Sequence, residues 1–261
     1  MGVAKRYFVE VYRTNTKYSK GRHTKGSQFN IERSNSILSR TIIIQASIAI
    51  TTMFIKDELC GVGDGVSSFS QGDEVYGQAS VVTGGSGAFA EMPLANAESI
   101  THKPKSLSHV EAAALPLVGV SAWQTVVENI GLSKDQKILI HGGAGGIGSI
   151  AIQLAKHSGA YVASTASPNG KEFVQKLGAD QVIDYKAQNF EDILRDYDAV
   201  FDTVGGETYR RSFKVLKKGG IIVSMLEQPN SELMNQYGVK AIFQFTQVNR
   251  ERLMKLAQWV D

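Results

Sequence analysis

From Lys137 onward the chain alternates between two patterns of apolar residues. Short apolar runs occur at Lys137–His141, Tyr161–Ala166, Gln181–Tyr185, Ala199–Asp202, Ile221–Met225 and Val239–Phe245. Each has the length and β-branched content of a buried strand. Between them lie stretches whose apolar positions return every three or four residues. In Ile147–His157 the residues Ile147, Ile150, Ala151, Leu154 and Ala155 fall on one helical face. Lys171–Leu177 is a second helix, stopped by Gly178. Phe190–Arg195, Tyr209–Leu216 and Asn249–Val260 complete the set. Strand, helix, strand in strict succession predicts an α/β fold, a doubly wound parallel sheet over residues 108–261.

The pattern before residue 108 is different. Gly61–Ser70 and Gln71-Gly72-Asp73 read as turns, followed by a strand at Glu74–Gly77. Gly84–Gly87 is a further glycine turn before a strand at Ala88–Met92. Short strands with glycine corners predict a small antiparallel β domain over residues 57–107. A helix opens at Ser108, with Glu111 completing a capping box, and another covers Ser121–Ile130. Thr41–Ile55 is apolar and β-branched but spans only fifteen residues. A membrane helix needs roughly 17–25, so a buried strand is expected and no membrane partner.

Composition adds little until charge is mapped. The 261 residues are 43% hydrophobic and 20% charged, with 26 glycines, as suits a globular α/β chain. The net charge of +3 is uneven: residues 1–40 carry nine Lys and Arg against Glu10 and Glu32, and the remainder is net −4. Residues 1–56 therefore form an atypical basic segment. It has no amphipathic stripe and no interleaved aromatics, so a solvated arm is expected and no nucleic-acid partner. The single cysteine, Cys60, excludes an intramolecular disulfide and fits a reducing, cytoplasmic setting. An Arg- and Ser-containing, acid-poor start also leaves organellar targeting open.

The chemistry concentrates after the strand at Lys137–His141. Gly143-Ala144-Gly145-Gly146-Ile147-Gly148 satisfies G-x-G-x-x-G between a buried strand and an amphipathic helix. The first glycine permits a tight turn, the second lets backbone approach a pyrophosphate, and the third lets helix pack on strand. The exposed amides and the dipole of the helix favour an anion there. An NAD enzyme usually places Asp or Glu at the end of the second strand to hold the ribose 2′-hydroxyl. Here that window, Ser164 to Lys171, has no acid. Ser167 and Lys171 suit a 2′-phosphate instead, which predicts NADPH. The alternative is that Ser167 caps the next helix and Lys171 is merely solvated.

Several strings together resemble one family: Gly72-Asp73-Glu74-Val75-Tyr76-Gly77, Ala114 to Trp123, the glycine loop, Leu177 to Tyr185, and Phe201-Asp202-Thr203-Val204-Gly205-Gly206. They are similar to the zinc-free quinone oxidoreductase (zeta-crystallin-like) branch of the medium-chain dehydrogenase/reductases. The resemblance runs over roughly residues 60–261. It implies a Rossmann domain with a GroES-like β domain, and NADPH-dependent hydride transfer to a quinone or an α,β-unsaturated carbonyl. By resemblance Ser121 lies near the nicotinamide as an orienting hydroxyl. Ser167, Lys171 and Tyr185 match the 2′-phosphate cluster, and the Asp202–Gly206 turn, with Val204, lies near the cofactor. Tyr185 as a strand-end aromatic and Asp202 as a turn former remain alternatives. A homodimer through Val239–Phe245 is also implied.

Zinc-dependent relatives need clustered Cys and His, whereas His23, His102, His109, His141 and His157 do not cluster by spacing, so no metal is expected. His141, beside the glycine loop, is expected to be structural. Residues 1–56 lack the family's usual opening, and the family continues beyond the point matching Asp261. The GroES-like domain is therefore expected to be partial. The alternative function is a truncated, non-catalytic NADPH-binding homologue acting as a sensor or partner subunit.

Overall fold

The computed structural model describes residues 41–44, 54–87 and 92–261. The basic arm, and most of the strands expected at Thr41–Ile55 and Ala88–Met92, lie outside the described residues. The described chain divides into two compact units, residues 118–247 and the remainder, with crossings at Leu117/Val118 and Gln247/Val248.

The unit holding residues 118–247 contains a six-stranded sheet. In chain order its strands are β6 (Lys137–Ile140), β7 (Tyr161–Ala166), β8 (Gln181–Asp184), β9 (Tyr197–Asp202), β10 (Leu216–Ser224) and β11 (Lys240–Phe243). Every pairing is parallel, and the spatial order is β11-β10-β9-β6-β7-β8. This is the doubly wound arrangement the sequence predicts. The order reverses between β6 and β9, so the crevice at their carboxyl ends is the topological switch point, where such sheets bind ligands. Consecutive residues Ile138, Leu139 and Ile140 are fully buried, as are Ala199, Val200 and Phe201. Burial on both faces is why these strands read as unbroken apolar runs rather than alternations.

The connecting helices follow the expected periodicity, with shifted ends. The chain enters this unit in α2 (Pro116–Trp123), which continues as a π-helical turn over Gln124–Asn129. The sequence predicts one helix from Ser121 to Ile130. The structure starts earlier, with Pro116 at the first helical position, and widens to i+5 bonding at the end, where Ile130 N–H donates to Thr125 O. The other helices are α3 (Gly146–His157), α4 (Pro168–Lys176), α5 (Phe190–Ile193), α6 (Gly206–Ser212) and α7 (Ser231–Tyr237). Leu139, Val200, Phe213 and Ile222 centre the core on one side, joined by Phe190, Tyr197 and Tyr209.

The other unit is built on a five-stranded antiparallel sheet, ordered β4-β1-β2-β3-β5. Its strands are β1 (Thr41–Ile44), β2 (Phe54–Val62), β3 (Glu74–Gln78), β4 (Leu94–Asn96) and β5 (Ile100–His102). Two corrections to the sequence reading follow. β1 and the start of β2 lie before residue 57, so the sheet draws on the segment read as atypical. β2 also runs through Val62, into the expected turn region, because Leu59 is a core residue with Phe69, Val75 and Ile100.

Helix α1 (His109–Ala112) opens with the expected capping box, Ser108 Oγ accepting from Glu111 N–H and the Glu111 carboxylate from Ser108 N–H. Helix α8 (Arg250–Val260), read as the last Rossmann helix, clusters instead with this sheet. Tyr76 donates its hydroxyl to Leu253 O at 2.6 Å. Arg250 stacks over Phe69 and donates to Ala97 O. Among the described residues no helix is long and apolar enough to cross a membrane.

Candidate functional site

The glycine loop leaves β6 at the switch point. Gly142 turns the chain with φ of +69°. The left-handed turn therefore belongs to the residue before the motif, not to Gly143 as the motif suggests. Gly143 is required for a different reason: a Cβ there would lie 2.1 Å from Ser164 Oγ. Gly148 faces backbone, since its Cβ would lie 2.3 Å from Gly142 O and 2.8 Å from Gly143 Cα. That is the close helix-to-strand approach the third glycine allows. Gly145 is the N-cap of α3, in extended conformation. The amides of Gly146, Ile147 and Gly148 begin the helix, where N–H groups lack a partner four residues back. Amides left without a helical partner in this way suit a pyrophosphate.

His141 sets the base of this loop and is 1% exposed. Its Nδ1 lies 3.1 Å from Thr165 Oγ1 and its Nε2 2.9 Å from Ser212 Oγ. Ser212 Oγ donates to Thr208 O, so it accepts from His141 Nε2–H. Thr165 Oγ1 accepts from Gly142 N–H and donates to Nδ1. The imidazole is thus neutral, with its proton on Nε2. Burial pushes its pKa down to about 4, against the pull of Asp202. Its contacts tie Gly142 to β7 and to α6.

At the carboxyl end of β7, Ser167 is the N-cap residue of α4, but its side chain makes no capping bond. Pro168 occupies the first helical position, which shapes the turn without it. The hydroxyl is left available in the window where an NAD enzyme would carry an acid. Gly170, in the first turn of α4, packs against the glycine loop: its Cβ would lie 2.8 Å from Ala144 Cβ. Lys171, the next residue, is exposed. Tyr185 follows β8, donates its amide to Ala166 O and leaves its ring 57% exposed. Ser167, Lys171 and Tyr185 thus follow the carboxyl ends of the paired strands β7 and β8, with Gly170 between the first two packed on the loop. Of the acids close by in sequence, Asp184 accepts from Lys186 N–H, and the exposed Glu172 pairs with Lys176.

Across the switch point, Asp202 ends β9 fully buried. Its Oδ1 accepts from Val204 N–H at 3.0 Å and Gly205 N–H at 2.9 Å, and its Oδ2 from Ser224 Oγ at 2.7 Å. Asp202 is the turn former that pins the 202–206 segment to β10. Val204 is presented half-exposed beside it. Leu226 and Phe245, after β10 and β11, are likewise exposed. The carboxyl ends of β9, β10 and β11 thus carry an apolar rim.

Ser121 lies in α2, fully buried, with its Oγ 2.6 Å from Thr246 Oγ1. Val118, one turn earlier, sits 3.3 Å from where a Gly146 Cβ would be, so this helix borders the loop. Sequence reading missed Gln244, which binds α2 and the π-turn to the chain after β11. No local pattern could have revealed it, because its partners lie more than a hundred residues away. Among the described residues no group of His, Cys, Asp and Glu could hold a metal ion.

A family model described as zinc-binding dehydrogenase matches residues 146–255. The quinone oxidoreductase from Coxiella burnetii is 30% identical, with a TM-score of 0.76 over 85% of this chain and 79% of that one. The chain belongs to the medium-chain dehydrogenase/reductase superfamily, in its quinone and alkenal/one oxidoreductase branch. The 2-methylene-furan-3-one reductase of Solanum lycopersicum is 43% identical over 62% of this chain and 42% of its own length. The mitochondrial NAD(P)H oxidoreductase RTN4IP1 of Danio rerio is 39% identical over 62% of this chain and 43% of its own length. The chain thus spans less than half the length of these curated relatives. The zinc of the family model's description finds no clustered ligands in the part described here.

Proposed function

We propose that this member of the branch is an NADPH-dependent reductase of α,β-unsaturated carbonyls and quinones that works without zinc. The observation that carries the cofactor choice is the edge beyond β7. Ser167 has a hydroxyl no cap uses, Lys171 is an exposed cation, Tyr185 is an exposed phenol, and the window from Ser164 to Lys171 holds no acid. A carboxylate there would repel a 2′-phosphate, whereas these groups donate hydrogen bonds to it. Residues Gly143 to Gly148 hold the pyrophosphate through backbone amides, and Val204 borders the dinucleotide on the other side of the switch point. When bound, NADPH supplies the hydride. The substrate class follows the relatives, one of which is named for reducing an enone. The protein's part is to orient the two reactants and exclude water, and Ser121, buried on α2 with its hydroxyl on Thr246, orients them through that contact.

Titration with NADPH and NADH, followed by turnover with an alkenal, a cyclic enone and a quinone, tests this reading. NADPH should bind more tightly. Ser167→Asp combined with Lys171→Ala should remove that preference, at a cost for NADPH of about 1.5–3 kcal/mol, or roughly 10- to 150-fold in Kd. Tighter binding of NADH by the wild type would overturn the cofactor assignment. NADPH binding without turnover of any of the three substrates would instead support the non-catalytic homologue.

A further inference from the structure

Residues 244–247 are fastened, one after another, to the end of α2 and the π-turn. Gln244 is 2% exposed, and both polar atoms of its side-chain amide are hydrogen-bonded. Its Oε1 accepts from Thr125 Oγ1 and from Asn129 Nδ2, both at 2.7 Å. Its Nε2 donates to Ser121 O at 2.9 Å. Its backbone N–H donates to Ser224 O at 2.8 Å, extending the β10–β11 ladder by one residue. Gln124 then clamps the next residues, donating to Phe245 O and accepting from Gln247 N–H. Thr246 Oγ1 meets Ser121 Oγ between them.

The matching is chemically specific. Where i+4 bonding gives way to i+5 bonding, the backbone widens, and π-turns of this kind are frequent at functional sites. Gln244 inserts one donor and two acceptor positions at that place. A carboxylate lacks the donor, a shorter amide lacks the reach, and an apolar residue leaves Thr125, Asn129 and Ser121 O without these bonds in a buried setting. The result is that Ser121 is fixed twice, through its carbonyl and its hydroxyl. Phe245, held by its carbonyl, is presented with its ring 73% exposed on the apolar rim.

We infer that Gln244 is a positioning residue, which holds the Ser121 hydroxyl and the Phe245 ring in register at the reactive end of the dinucleotide site. This rests on the reductase reading above. The phosphate end of the cofactor is held separately, by the glycine loop and the Ser167 edge, so the two ends should respond differently to substitution.

The test compares wild type with Gln244→Met, Thr125→Val and Thr125→Ser. NADPH affinity is read by fluorescence, kcat and KM with a cyclic enone, and backbone hydrogen exchange by mass spectrometry. Gln244→Met should lower kcat at least tenfold while changing the NADPH Kd less than threefold. Thr125→Val should lower kcat about threefold, and Thr125→Ser, which keeps the hydroxyl, should restore it. Amides of 121–130 and 244–247 should exchange at least tenfold faster in Gln244→Met, with those of β6 and β9 unchanged.

Unaltered kcat, or equal losses in kcat and NADPH affinity, would overturn the positioning role. If wild type neither binds NADPH nor turns over an enone, the reductase reading fails by itself. Exchange then decides the seam: faster exchange confined to the two segments upholds it, and unchanged or global exchange overturns it. If Gln244→Met does not fold, Thr125→Val and Thr125→Ser carry the same comparison.

Discussion

A methyl group on Gly148 would meet the carbonyl oxygen of Gly142 and the Cα of Gly143, neither of which can rotate away. The same group on Gly143 would meet Ser164 Oγ, a side chain that already donates to Ile140 O and would have to give up that bond. On Gly146 it would press only Val118 Cγ1 at 3.3 Å, a contact small rearrangement relieves. Alanine at these positions should therefore harm in the order Gly148, Gly143, Gly146. The first should cost about 1–3 kcal/mol of stability by overpacking and the last well under 1. Urea denaturation of the three variants checks the order, and NADPH affinity should fall in the same sequence. To the three glycines of the motif the structure adds a fourth, Gly142, whose left-handed φ the motif does not include.

His141 gives a second residue-scale expectation, in pH. Its folded pKa lies at about 4, below the ordinary 6.5, because burial disfavours the imidazolium. Between those values the unfolded chain binds the proton and the folded chain does not. Stability therefore rises with pH across that window and is lost as pH falls from 6.5 towards 4, by at most about 3 kcal/mol. Asp202, Glu191 and Arg211 share its electrostatic surroundings. The control is His141→Leu, which lowers stability at pH 7 but removes the titration. Its urea midpoint should drop less between pH 7 and pH 5 than that of wild type. Equal slopes would show that His141 takes no part in the acid sensitivity.

At the scale of elements, what could be read from sequence was what is local. The capping box at Ser108 and Glu111 forms as spaced, and the six parallel strands follow from runs such as Ile138–Ile140 and Ala199–Phe201. Ser108→Ala should lower stability by about 1 kcal/mol, read as a shift in urea midpoint with no change in slope, since the cap satisfies orphan amides without altering buried area. Elements that depend on distant partners were not readable. β4 and β5 are three residues each and hold their place through the neighbouring strands β1 and β3. The π-turn at Gln124–Asn129 is stabilised by Gln244, and helix α8 is drawn to the β sheet by Tyr76, Phe69 and Ala97. Amphipathic periodicity shows that α8 has a buried face but not which core receives it. The site divides in the same way: the glycine loop was legible because its chemistry is contiguous. The vacant capping hydroxyl of Ser167, the Asp202 clamp and the Gln244 seam needed the strands to be brought side by side.

For the whole molecule, every residue assigned to the dinucleotide lies within the 118–247 unit: the loop, the Ser167 edge, Tyr185, Val204 and Ser121. A ligand that binds only the folded form of that unit stabilises it by RT ln(1 + [L]/Kd), about 2.7 kcal/mol at a hundredfold excess over Kd. Its effect on the antiparallel unit is then a measure of how strongly the two units unfold together. Saturating NADPH should raise the urea midpoint of the intact chain and slow hydrogen exchange in β6, β7, β9 and the loop between Gly142 and Gly148. If the units unfold independently, amides of β2, β3 and β5 keep their rates and the melt separates into two transitions, of which only one moves. If they unfold as one, β2, β3 and β5 are protected by the same free energy as the Rossmann strands, although no residue assigned to the cofactor lies there. Protection of β2, β3 and β5 without any in the glycine loop would contradict the placement of the site itself.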